Sequence, residues 1–161
     1  MAREVGEIDI LVNNAGFSAW GPTAEFDVAA FDAMFAANVR APFYLVAAFA
    51  PGMATRETGS IINIGSMAGS IGLAGGAAYG ATKAALGSLA QAWAAEFSPR
   101  GIRVNTVAAG PIYTRPEARE LFDTLGATTA LKRAADPAGR GGRGVSSFSC
   151  GELHDRCNRR R

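Results

Sequence analysis

The chain is poor in the residues that build most metal and acyl-transfer sites. Of its 161 residues only one is histidine, His154, and only two are cysteine, Cys150 and Cys157. All three lie near the C-terminus, so the body of the chain has no soft metal ligand and no histidine to act as the base of a nucleophilic triad. Cys150, His154 and Cys157 themselves offer three ligands without a fourth nearby, and no metal is expected. Sustained apolar runs are missing too. The longest uncharged stretch, Thr58 to Thr82, carries Asn63, three serines and seven glycines, so no membrane crossing is expected. The N-terminus, Met1-Ala-Arg-Glu-Val-Gly-Glu7, lacks the basic and then apolar regions of a signal peptide, which makes a cytoplasmic location the expectation.

What is present is the composition of one soluble globular domain, 48% hydrophobic and 19% charged, which excludes wholesale disorder. The net charge of +2 hides two unlike parts. Residues 1–137 hold 10 basic and 12 acidic side chains, net −2, whereas residues 138–161 hold six arginines against Glu152 and Asp155, net +4. We therefore expect a body over 1–137 and a basic Gly/Arg-rich tail over 138–161, disordered and functionally silent. Gly139 to Gly144 formally matches G-x-G-x-x-G, yet it follows Pro137 rather than a strand and opens no helix. Phe148 is the only aromatic in the tail, so no nucleic-acid partner is expected.

In the body, Ile8 to Val12 reads as a strand running into the turn-forming Asn13-Asn-Ala-Gly16. Ser60 to Ile64 runs likewise into Gly65-Ser66, and Ile102 to Val107 into Ala108-Ala-Gly-Pro111. Two long helical stretches separate these strands. The first spans about Asp27, a candidate N-cap, to Met53, with Phe31, Met34, Phe35, Val39 and Phe43 as an expected buried stripe. Asn38 sits in that stripe, either as a satisfied core amide or, because Pro42 cannot donate to its carbonyl, as an acceptor for something else such as a water. The second helix spans about Ala77 to Ser98, with Leu86, Leu89, Trp93 and Phe97 as its apolar positions. The order β-α-β-α-β predicts an α/β fold with a parallel sheet.

Ligands bind such sheets outside the carboxyl ends of the strands. Asn14 and Gly16, Ser66, and Gly110 to Thr114 all occupy those ends, and Tyr79 and Lys83 share a helix face at i and i+4. An exposed Tyr–Lys pair is a common surface feature, but this chain has only two lysines against 14 arginines. An ammonium beside a phenol favours proton transfer through it. Tyr79 then exchanges a proton with a carbonyl or alcohol oxygen that Ser66 holds. No side chain supplies the hydride, which points to a nicotinamide cofactor.

Asn13-Asn-Ala-Gly16 after a strand, Asn38 on a helix, Ser66, Tyr79-Gly-Ala-Thr-Lys83 and Asn105 to Thr114 together resemble the short-chain dehydrogenase/reductase family, most closely its 3-oxoacyl-carrier-protein reductases. The resemblance spans about Asp9 to Pro137. It implies a Rossmann fold, a doubly wound parallel sheet with helices on both faces, and oxidation or reduction of a small carbonyl or alcohol substrate with NAD or NADP. It implies Tyr79 as acid/base, Lys83 as the residue that promotes its ionisation and holds the nicotinamide ribose, Ser66 as the substrate-orienting hydroxyl, and Asn38 as the anchor of a proton-relay water. Asn14, Gly16, Tyr79, Lys83, Ile112 and Thr114 resemble cofactor contacts. A homo-oligomer is likewise implied, with the two long helices paired across a dimer interface.

The departures lead to further expectations. The family's T-G-x-x-x-G-x-G fingerprint is absent and Ala109 stands where proline is usual. The first three βα units, roughly 75 residues, and the last strand are expected to be missing from a partial Rossmann fold. Glu152 to Arg161 admit codons that, read one base on, give Ser-Tyr-Met-Thr-Gly-Ala-Ile-Val-Ala-Val, like the family's closing segment, so a frameshift just after Pro137 is expected. Ile8 to Val12 is then an uncovered apolar edge, and the chain is expected to be poorly soluble and without turnover on its own. A non-catalytic fragment is the alternative reading.

Overall fold

The computed structural model describes residues 6–114 and 116–137, together with the backbone of 148–150. Three parallel strands form its centre: β1 (Ile10–Asn13), β2 (Gly59–Ser66) and β3 (Ile102–Ala109). The helical layer comprises α1 (Val28–Phe35), a π-helical turn (Ala36–Arg40), α2 (Ala41–Thr55) and α3 (Ala77–Phe97). A shorter helix, α4 (Arg119–Thr128), follows the last parallel strand.

The strands lie in the order β1-β2-β3. Successive right-handed crossovers that advance in one direction place their helices on one side of a sheet. Accordingly Val46, Ala50 and Met53 of α2 and Leu86, Ala90 and Trp93 of α3 pack in one core with Leu11, Ile61 and Val104, three residues in register across the sheet. Both long helices among the described residues therefore cover the same face of this partial Rossmann sheet. On the other face Ile10 and Val12 are 61% and 51% exposed.

Directly above that apolar row the strands carry a polar one, Asn13, Asn63 and Thr106, also in register and buried. Asn13 Nδ2 donates to Asn63 Oδ1 at 2.8 Å, tying the end of β1 to the middle of β2.

The first helical stretch departs from its expected stripe. Asp27 caps it as expected, its carboxylate accepting from the Ala30 N–H at 2.7 Å. However, Phe31 and Phe43 are 41% and 44% exposed, and the buried positions are Met34, Asn38, Pro42, Val46 and Ala50, every fourth residue, followed by Met53. The π turn is the reason. Pro42 has no N–H for the ordinary bond to Asn38, and the Ala41 N–H reaches back five residues to the Ala36 carbonyl, which widens the turn and keeps residues four apart in line. The run Val28–Thr55 is long and apolar enough by composition to cross a membrane, but its inner face packs on the sheet.

A second correction concerns the tail. A three-residue strand, β4 (Phe148–Cys150), pairs antiparallel with β3 where no strand was expected. The outer edge of β3 presents unpaired main-chain groups that any short extended segment can satisfy. Other tail features named above, Gly139 to Gly144, His154 and Cys157, lie outside the described residues.

Candidate active site

The carboxyl ends of β1 and β2 meet the N-terminal half of α3. The Ser66 hydroxyl accepts from the Ala68 N–H at 3.2 Å and so caps a 3-10 turn, Met67–Gly69, with its own hydrogen left to donate. That turn lies on α3 because position 80 is glycine: a Cβ there would sit 2.7 Å from the Ala68 carbonyl oxygen. Gly80, together with Gly69, whose Cβ would lie 2.9 Å from the Ala84 nitrogen, thus lets the turn after Ser66 rest on this helix.

Lys83 crosses to β2, its Nζ donating to the Ile64 carbonyl at 2.8 Å and standing 5.9 Å from the centre of the Tyr79 ring. Burial disfavours its charged form and pushes the ammonium below the usual lysine value of 10.5. A lysine that holds its proton less tightly folded than unfolded makes the folded state less stable below that window, and the penalty is relieved as pH rises towards 10.5. The urea midpoint of the wild type is therefore expected to gain on that of Lys83→Met as pH rises through the window. A difference that does not change with pH would show that the ammonium is not desolvated.

Asn38 is buried, 1% exposed, and its amide is fully engaged. Its Nδ2 donates to the Phe17 carbonyl at 2.8 Å and to Thr82 Oγ1 at 3.1 Å, while its Oδ1 accepts from the Phe17 N–H at 3.1 Å. Of the two sequence readings, the side chain is thus the satisfied core amide. Gly16 must be glycine for this clamp, because a Cβ would lie 2.6 Å from Asn38 Oδ1, and the same position is 3.9 Å from Lys83 Nζ. Thr82 closes the network by donating to the Tyr79 carbonyl at 2.8 Å.

The structure therefore brings together Gly16, Asn38, Tyr79 and Lys83 and lays the Ser66 turn on the same helix. Asn14 is exposed at the end of β1. Ile112 and Thr114 belong to a separate loop, with Ile112 bridged to Ala135 and the Thr114 N–H donating to the Ile112 carbonyl at 2.7 Å. In that loop Tyr113 is pinned to α4: its hydroxyl bonds to Asp123, which raises its pKa, and the Arg119 guanidinium lies 4.7 Å over its ring.

Sequence reasoning missed Thr82, which lay in plain view inside Tyr79-Gly-Ala-Thr-Lys83, and Trp20, whose ring centre is 5.8 Å from that of Tyr79. An open apolar cleft lined by Phe26, Val28, Phe31, Ala77 and Ala81 lies elsewhere, since Ala77 and Ala81 fall on the opposite side of α3 from Tyr79 and Lys83.

With this geometry in hand, comparison with known proteins is decisive. The sequence model of the short chain dehydrogenases matches residues 1–123. The chain belongs to the short chain dehydrogenase family. Several of the relatives it matches are dehydrogenases. It is 39% identical over 142 residues to the 2-(S)-hydroxypropyl-CoM dehydrogenase 3 of Xanthobacter autotrophicus, covering 87% of this chain and 56% of that protein. A solved short chain dehydrogenase/reductase family protein is 47% identical with a TM-score of 0.76, covering 84% of this chain and 57% of that one. The gluconate 5-dehydrogenase of Burkholderia cenocepacia in complex with NADP and tartrate is 33% identical with a TM-score of 0.75, covering 83% and 55%. The chain thus spans little more than half the length of these three proteins.

Proposed function

We propose that this chain carries the proton-transfer half of an NAD(P)-dependent oxidoreductase that interconverts a carbonyl and an alcohol. The observation that carries this reading is the convergence of Tyr79, Lys83 and the Ser66 turn, which Gly80 and the Lys83–Ile64 bond make possible. Tyr79 donates its hydroxyl proton to the carbonyl oxygen during reduction and recovers it during oxidation. Ser66, whose hydrogen is not used by its own cap, donates to the same oxygen and orients it. Lys83 places positive charge beside Tyr79, and the Asn38 main chain is the anchor for the water that replenishes the proton.

The donor set suits the nicotinamide–ribose end of a dinucleotide. Lys83 has donors to spare after bonding Ile64, Gly16 leaves an open approach beside it, and Asn14 is exposed at the same strand end. Ile112 and Thr114 are assigned to the same cofactor. When bound, that cofactor supplies the hydride no side chain can supply. Among the described residues no strand runs directly through a glycine-rich turn into a helix, the feature that holds a pyrophosphate. The partner class is a small carbonyl or alcohol compound, and the exposed Phe43 and Tyr44 of α2 suit a second copy of the chain.

A second reading, a non-catalytic fragment, is favoured by the exposure of Ile10 and Val12 on a sheet face that no described element covers. Isothermal titration with NADH and NADPH separates the two. The enzymatic reading expects saturable binding of at least one nucleotide, weakened at least tenfold in Lys83→Ala. Absence of heat with both nucleotides would leave the fragment reading.

A further inference from the structure

We propose that Trp20 is the specificity-determining wall of the substrate site and selects carbonyl compounds bearing a flat apolar substituent, an aryl group above all. The inference rests on Tyr79 being the proton donor proposed above. Trp20 lies in the loop between β1 and α1, and that loop is fixed on both sides of it. Three residues earlier, Asn38 clamps the N–H and carbonyl of Phe17. One residue later, the Gly21 N–H donates to the Gly75 carbonyl at 3.0 Å. The indole edge fills the space left by Gly76, where a Cβ would come within 2.6 Å of Cζ3.

The ring so placed is neighbour to Tyr79, with planes inclined at 43°, yet it stays 42% exposed. An aromatic surface pinned from both sides and left partly open is preorganised to receive another flat group, since little ordering remains to be done on binding. A substrate resting a ring on this indole brings the adjoining carbonyl towards Tyr79. From Ala15 to Ala24 the loop carries no charged side chain, so it offers no cation to pair with a carboxylate or phosphate tail. Losing the ring's contact with Tyr79 slows every substrate alike, so the signature of the wall is a ratio between substrates rather than a rate.

The test compares reduction of acetophenone and of ethyl methyl ketone, with NADH or NADPH, in wild type, Trp20→Ala and Trp20→Phe. In Trp20→Ala the acetophenone to ethyl methyl ketone ratio of kcat/KM is expected to fall about tenfold, mainly through KM, whereas Trp20→Phe keeps it within about threefold of wild type. An unchanged ratio in Trp20→Ala, or an equal loss for both ketones, overturns the proposal. Tyr79→Phe in parallel keeps the two readings apart: retained turnover there sinks the proton-donor role, while an unaltered ratio in Trp20→Ala sinks only the wall. If wild type turns over neither ketone, the same ratio is read as Kd by ligand-observed NMR, with the same thresholds deciding.

Discussion

Wherever this site is supplied with cofactor and turns over a ketone, Tyr79→Phe is expected to lower carbonyl reduction by about a hundredfold to ten-thousandfold, the range that a positioned proton donor contributes, while nucleotide binding persists. The substitution removes one oxygen and leaves the ring. The ring's contacts with Trp20, at 5.8 Å, and with the Lys83 ammonium, at 5.9 Å, therefore survive, as does the Thr82 bond to the main-chain carbonyl of residue 79. Fold and site geometry are held constant in this variant, so the loss falls on the chemical step. Steady-state rates with a ketone and titration with NADPH, run on the same preparation, provide the check. Activity within tenfold of wild type would take Tyr79 out of the mechanism, and loss of nucleotide binding would mean that the phenol oxygen serves the cofactor instead.

Much of this site was legible before any coordinates, because its residues announce themselves by type and place. The three strands end in turn-forming clusters, and a lysine four residues after a tyrosine stands out in a chain with 14 arginines. What was not legible depends on contacts between segments. Periodicity alone weighted Phe31 and Phe43 as core because they are large, whereas the π turn brings Met34, Asn38 and Pro42 to the sheet and leaves both phenylalanines partly outside. Nothing local to the chain states the strand order, and it is the order β1-β2-β3 that puts both long helices on one face. Trp20 was invisible for the same reason. Its loop has no periodic pattern, and its value comes from Gly75 and Gly76, more than fifty residues away. Gly80 is an intermediate case, readable as part of a motif but explicable only once the Ala68 carbonyl is seen to lie against it.

Asn38→Ala is expected to cost about 3 kcal/mol of folding stability and to release the loop that carries Gly16, Phe17 and Trp20. The amide is 1% exposed and makes three hydrogen bonds, two of them to the main chain of Phe17. Its removal leaves the N–H and carbonyl of Phe17 without their partner and takes one of two partners from the Thr82 hydroxyl, which keeps its bond to the Tyr79 carbonyl, and each polar group so deprived costs about 1–3 kcal/mol when buried. Phe17 is itself 46% exposed, so water can recover part of that loss, which keeps the expected figure near the lower end of the sum. Against a total stability of about 5–15 kcal/mol the effect is large. Asn38→Asp separates the clamp from simple cavity formation, because a carboxylate keeps the shape and the acceptor for the Phe17 N–H but loses both donors. Because it also places a buried charge against the Phe17 carbonyl oxygen, its urea midpoint is expected to fall at least as far as that of Asn38→Ala at neutral pH. The local consequence is read from tryptophan emission. Trp93 is 5% exposed and reports on the core, whereas Trp20 depends on the clamped loop, so a red shift that appears in Asn38→Ala and is absent from Asn38→Ala/Trp20→Phe marks the loop's release. A stability loss under about 1 kcal/mol with unshifted emission would show that Phe17 is held in place without Asn38.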